Sequence, residues 1–103
     1  MQSRILRLDA RDNALVALTD LRQGEPIEFQ GMQYELVTNV PAKEKFATED
    51  LGIGSTVVMY GVVVGKAVKP IRKGERLTIS NLQHQVSEFH EQLKRDHAVL
   101  FAA

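Results

Sequence analysis

One pattern, repeated three times, restricts what this chain can become. Ala17-Leu18-Thr19-Asp20-Leu21-Arg22-Gln23-Gly24 leads into Glu25-Pro26-Ile27. Ala47-Thr48-Glu49-Asp50-Leu51-Gly52-Ile53-Gly54 leads into Ser55-Thr56-Val57, and Ala67-Val68-Lys69-Pro70-Ile71-Arg72-Lys73-Gly74 into Glu75-Arg76-Leu77. Each copy has an alanine, a Leu or Ile four positions on, a glycine three further, and an aliphatic residue three beyond that. The spacing predicts a short helical turn that buries the Leu or Ile. The glycine then takes the left-handed conformation that a side chain would penalise, and the aliphatic residue starts a strand. The copies lie 30 and 20 residues apart, too irregular for a solenoid. The device belongs to one closed small domain.

The segments between the copies read as short strands. Arg4–Leu8, Ala14–Leu18, Pro26–Phe29, Gln33–Val37, Thr56–Tyr60, Val62–Val64 and Arg76–Ile79 are apolar or β-branched runs broken by glycine. Gln30-Gly31-Met32 reads as a hairpin turn between two of them. Short, closely spaced strands of this kind predict a mostly β fold with small helical turns. The tail differs: Leu82, Val86, Phe89 and Leu93 form one apolar stripe at helical spacing. That predicts a C-terminal helix over about Asn81–Arg95, with Ser80 as its cap and Glu91–Arg95 as a supporting pair. The stripe must bury itself on its own domain or on a partner.

Length and charge narrow the function. At 103 residues the chain has room for one domain and a limited core, so a partner chain or a further domain is a natural source of stability. Lysine plus arginine and aspartate plus glutamate both number 13, which gives no long-range pull toward nucleic acid or a membrane surface. The absence of cysteine excludes disulfides and thiolate chemistry. No apolar run is long enough to span a bilayer, and the N-terminus lacks a signal-peptide core. The cytoplasm is the expected location.

Few residues carry chemistry by pattern alone. His84, His90 and His97 are too far apart on a helix to share an ion. Glu49-Asp50 and Asp20 fall at the repeated turns, where acids accept backbone hydrogen bonds. Lys66, Lys69, Arg72, Lys73 and Arg76 crowd eleven residues with one acid, Glu75. Such a stretch suits a carboxylate ligand, an acidic protein face, or plain solvation. Gly61 and Gly65 bracket a Val-Val-Val run, where glycine lets backbones approach or bend. No Ser/His/Asp order, phosphate loop or dinucleotide fingerprint is present.

Asp12-Asn13-Ala14-Leu15-Val16-Ala17-Leu18, Lys45-Phe46-Ala47 with Asp50-Leu51, and Tyr60-Gly61-Val62-Val63-Val64-Gly65-Lys66-Ala67 together resemble the small N-terminal domain of altronate and galactarate dehydratases. Ile71, Gly74-Glu75 and Asn81 complete the likeness, which covers about residues 4–81. The resemblance implies an SAF-type β-clip over residues 1–81, followed by a helix and tail or linker over 82–103. It implies an elimination in which water leaves a hexonic or hexaric acid to give a 2-keto-3-deoxy sugar acid. The proton beside the carboxylate is removed by a base, and a divalent metal in the complete enzyme stabilises the developing charge.

In that family most of the machinery lies in a much larger catalytic domain. The resemblance therefore implies a non-catalytic accessory piece that binds no cofactor by itself, as a separate subunit or as the N-terminal part of a longer enzyme. The implied substrate- or partner-contacting residues are Asp12, Asn13, Lys45, Tyr60, Gly61, Gly65, Lys66 and Asn81. Many relatives carry histidine where this chain has Arg11, Glu44, Thr78 and Ser80. A free-standing module that binds carbohydrate acids, or one that assembles into homo-oligomers, is the alternative.

Overall fold

The structure, a computed structural model, describes residues 4–84. Eight short strands make it up: β1 (Ile5–Leu6), β2 (Ala14–Ala17), β3 (Pro26–Phe29), β4 (Met32–Glu35), β5 (Lys45–Ala47), β6 (Thr56–Met59), β7 (Val62–Ala67) and β8 (Leu82–His84). They form three antiparallel sheets in the orders β1-β2-β5, β3-β4 and β6-β7-β8. The first sheet stands between two cores because side chains alternate along a strand. Leu15, Ala17 and Phe46 face one cluster with Leu21, Ile27, Tyr34, Leu36 and Val40. Ala14 and Ala47 face the other, with Leu51, Val57, Met59, Ile71, Leu77 and Leu82. Tyr34 meets Phe46 edge to face at 5.9 Å, a favourable aromatic geometry.

The repeated device has a clear physical form. Leu21, Leu51 and Ile71 are buried as expected, and Gly24, Gly54 and Gly74 have φ of 81°, 88° and 85°. The segment between them is not a helical turn. It is a four-residue β-turn, closed by Glu25 N–H to Arg22 O, Ser55 N–H to Gly52 O and Glu75 N–H to Arg72 O at 3.0, 3.0 and 2.9 Å. Glycine at the third position with positive φ is the type II requirement. Each turn is then clamped: the glycine N–H donates to Leu36, Ala67 or Ala47 O at 2.7, 2.8 and 2.9 Å. The same three residues donate back to Glu25, Ser55 and Glu75 O.

A fourth copy is invisible in the glycine pattern. Val40 holds the Leu position and Lys43, with φ of 74°, the glycine position. Glu44 N–H closes the turn on Pro41 O, and Lys43 N–H is clamped to Ala17 O. The four copies pair as Leu21 with Val40 and Leu51 with Ile71. The domain is thus two matching halves. Ala17, Leu21, Gly24, Leu36, Val40 and Lys43 answer to Ala47, Leu51, Gly54, Ala67, Ile71 and Gly74. The two-residue hairpin loops match as well: Gln30-Gly31 and Tyr60-Gly61 all have positive φ, the type I′ geometry of tight hairpins. Asp20 and Asp50 accept Ala42 and Lys73 N–H at 2.9 and 2.8 Å, the turn role expected of these acids.

Other expectations are corrected. Arg76–Ile79 is not a strand; Arg76 makes one isolated bridge to Phe46. β5 has no counterpart among the expected strands, since its three residues are too short to show alternation. The expected helix does not begin at Asn81, because Leu82–His84 pairs with β7 through Ala67↔Leu82, Lys66↔Gln83 and Gly65↔His84. Gly65 makes room for it: a Cβ there would lie 2.9 Å from Leu82 Cγ. Leu82 thus owes its place to a sheet ladder and a core, not to the helical stripe. Val86, Phe89, Leu93, His90, His97 and the Glu91–Arg95 pair lie outside the described residues. Among the described residues no helix is long and apolar enough to cross a membrane.

Candidate functional site

Four of the eight implied site residues meet at one tie. The buried Asp12 carboxylate accepts the backbone N–H groups of Gly61 at 2.9 Å, Tyr60 at 3.2 Å and Asp9 at 3.0 Å. It thereby locks the β1–β2 connection to the β6–β7 hairpin. Asn13 acts as a length of strand: its Oδ1 accepts Val58 N–H at 2.8 Å and its Nδ2 donates to Thr56 O at 3.0 Å. The motif Asp12-Asn13 and the distant Tyr60-Gly61 are therefore two sides of a single joint. Arg11 lies across Gly61, where a Cβ would come within 2.2 Å of its guanidinium. Asp9 holds Arg11 through Oδ1 and Oδ2 at 2.9 and 3.0 Å. Those side-chain bonds, with the Arg11 backbone N–H, pull the Asp9 carboxyl from the ordinary 3.8 to about 2.

The other four are dispersed. Gly65 and Lys66 lie on β7, with Lys66 opposite Thr56 and Gln83. Lys45 is on β5, opposite Val16, half-buried and with no ion pair among the described residues. Asn81 closes the loop before β8: its Oδ1 accepts Thr78 N–H at 2.8 Å, and its Nδ2 donates to Arg76 O at 2.9 Å and Glu75 at 3.3 Å. The side chains of Asp12, Asn13 and Asn81 thus spend hydrogen bonds on the fold itself.

Asn81 also borders a cleft of about 360 Å³ that sequence reasoning did not assemble. Thr38 and Asn39 come from the first half and Lys69 from the matching place in the second; Glu75, Arg76, Thr78 and Ser80 add to the polar wall. The basic stretch is split by the fold, with Lys69 and Arg76 in this cleft. Arg72 and Lys73 line a separate groove, where Lys73 Nζ sits 5.1 Å from the Tyr34 ring centroid. Arg76 donates its backbone N–H to Thr38 Oγ at 3.0 Å and pairs with Glu44. The Thr78 and Ser80 hydroxyls lie 2.7 Å apart. Thr38 and Asn39 left no sequence signal, because they join the site only through the pairing of the two halves.

The described residues that line the cleft do not suit a divalent cation. Among the described residues no group of three His, Asp or Glu side chains is placed to hold one. Glu44 is committed to Arg76, and the Glu75 oxygens accept Arg72 N–H and Asn81 Nδ2. Hydroxyls at positions 78 and 80 are weak ligands beside a carboxylate or imidazole.

Fold and cleft define a small two-fold-repeated β domain with a polar cleft that carries charges of both signs and no catalytic constellation among its described residues. The chain belongs to the altronate/galactarate dehydratase SAF domain family, whose sequence profile matches residues 3–85. It is 26% identical over 83 residues to altronate dehydratase of Bacillus subtilis (strain 168), covering 81% of this chain and 17% of that protein. It is 29% identical over 86 residues to altronate dehydratase of Escherichia coli (strain K12), covering 84% of this chain and 17% of that protein. The (2R)-sulfolactate sulfo-lyase subunit alpha of Chromohalobacter salexigens is 35% identical over 52 residues, half of this chain and 55% of that subunit. The chain thus spans only about a sixth of the altronate dehydratases it matches.

Proposed function

We propose that this chain is the small accessory domain or subunit of a sugar-acid dehydratase of the altronate type. The enzyme would be a hydro-lyase of carbohydrate metabolism in the cytoplasm. In that reaction the proton beside the carboxylate goes to a base, hydroxide departs from the neighbouring carbon as water, and the enol becomes a 2-keto-3-deoxy acid. The carrying observation is the family match over nearly the whole described chain, set against its 17% share of the altronate dehydratases. A domain that lacks a base-and-ligand constellation among its described residues suits closure over, or support of, a larger catalytic part. Lys45, Lys66 and the Tyr60-Gly61 tip are the proposed contacts to substrate or partner. The divalent metal of the complete enzyme belongs to that larger part on this reading.

A domain exchange tests the proposal. Removing the matching segment from the Bacillus subtilis altronate dehydratase should abolish or sharply lower dehydration of altronate. Grafting residues 3–85 of this chain in its place should restore it. Full activity without any such domain would overturn the accessory role. A separate-subunit arrangement is the second reading, favoured by the likeness to a sulfo-lyase subunit alpha; it predicts rescue when the domain is added in trans.

A further inference from the structure

We propose that residues 86–93 of this chain dock on the uncovered part of the β1-β2-β5 sheet, with Phe89 seated over Leu6, Val16 and Leu18. The strand registers define that face. Leu6 stands opposite Val16, and Val16 opposite Lys45, so the three form one row on one side of the sheet. Leu18 lies two residues beyond Val16 and shares that side; its N–H continues the ladder to Arg4 O at 2.8 Å. Further along the same side, Ala14 and Ala47 are sealed by the second core. That core stops short of the sheet's end. Val16 is half-buried, and Leu6 and Leu18 are 41% and 45% exposed.

The two matching halves show what this face lacks. The row that answers to Val16–Lys45 is Phe46–Leu15 on the opposite side of the sheet, and both its residues are fully buried. Tyr34 covers that row, edge to face on Phe46, from its place opposite Ile27. The corresponding place in the second half, opposite Val57, is Gly65. Leu82 fills the space beside Gly65 and belongs to the core on which Val16 packs. No aromatic residue belongs to that core.

Position, chemistry and area name the occupant. β8 ends at His84, two residues past Leu82, so the chain leaves β8 beside this core. Val86, Phe89 and Leu93 follow at helical spacing, with Glu88 and Glu91 on either side of Phe89. An extended chain carries Phe89 up to about 17 Å from His84. Apolar residues interleaved with acids suit an aliphatic row that ends in Lys45, which is half-buried and has no ion pair among the described residues. Its neighbour Glu44 pairs with Arg76 instead. The exposed aliphatic area is on the order of a few hundred Å², short of the roughly 800 Å² per partner that a stable free dimer buries. A tethered segment needs less contact, because the tether gives it a high effective concentration.

The inference stands apart from the dehydratase reading, and NMR of the full 103-residue chain tests it. NOEs are expected from the Phe89 ring protons to the methyl groups of Leu6 and Leu18, unchanged between about 1 mM and about 50 μM protein. Phe89→Ser should abolish them and shift the Leu6 and Leu18 methyl resonances, while the methyls of Leu15 and Leu36 in the first core stay in place. Leu18→Ser, at an exposed position, should in turn shift the Phe89 ring resonances. Absence of these NOEs, or Leu6 and Leu18 methyls unmoved by Phe89→Ser, would overturn the docking. NOEs lost on dilution, with the mass of two chains at the higher concentration, would assign the face to a second copy and overturn it equally.

Discussion

Gly74 is the point at which the two-halves architecture is most exposed to a single methyl group. The four turns share one backbone shape, yet their glycines stand in different surroundings. A Cβ on Gly24 or Gly54 would meet nothing within 4 Å. A Cβ on Gly74 would lie 2.2 Å from the carbonyl oxygen of Glu35 and 3.3 Å from Leu36 Cα. For Gly24→Ala and Gly54→Ala the cost is the left-handed conformation alone, about 1 kcal/mol. Gly74→Ala adds a collision with backbone that no rotamer can relieve. The third turn must retreat by roughly 1 Å, which strains Val37 N–H to Gly74 O at 3.1 Å and Gly74 N–H to Ala47 O at 2.9 Å. At about 1 kcal/mol for each bond, the total comes to about 3 kcal/mol, a large share of what so small a domain possesses. Urea unfolding of the three variants measures this directly. With a slope of about 1 kcal/mol/M, Gly74→Ala should unfold about 2 M earlier than the other two. Three variants within about 0.5 kcal/mol of one another would refute the reasoning.

Asp12→Ala strips the acceptor from three backbone N–H groups and should cost about 2–4 kcal/mol; a loss under 1 kcal/mol in urea melts would contradict the joint. Lys43→Gly relieves the one non-glycine residue at the left-handed position of the four turns and should stabilise by about 0.5 kcal/mol, read as a small rise in Tm; a fall would count against a shared turn shape. The Asp9 carboxyl should titrate by carbon-detected NMR near its lowered value of about 2 and return toward 3.8 in Arg11→Gln. Because the folded value lies below the ordinary one, the Asp9–Arg11 tie is fully present above pH 3.8 and is lost as pH falls through about 2. A parent midpoint near 3.8 would show that the tie does not form.

The glycine spacing made much of the fold legible. A left-handed glycine after a buried aliphatic is a local constraint, and local constraints are written in local sequence. The turn type was not legible, because Leu-x-x-Gly fits the end of a helix as well as a type II turn; the clamps to Leu36, Ala67 and Ala47 decide it. The copy at Val40–Glu44 is hidden because a lysine stands where glycine is expected. β8 is hidden in the sequence because Leu82 fits both the tail's helical stripe and a sheet ladder, and Gly65 on a distant strand decides for the ladder. At the site, Asp12-Asn13 and Tyr60-Gly61 were picked out by resemblance, and their hydrogen bonds give a physical reason for the pairing. The cleft is built from residues 38–39, 69 and 76–81, which are polar, unpatterned and far apart in sequence, so only the fold brings them together.

The central claim is that this chain serves a sugar-acid dehydratase without being the catalyst. The most direct measurement is formation of 2-keto-3-deoxy acid from altronate and galactarate, with a divalent metal supplied. It compares this chain alone, its large catalytic partner alone, and the two joined or mixed. The account predicts no product from the chain alone and a large gain when the two are combined. Product from the chain alone, or equal rates with and without it, would contradict the account.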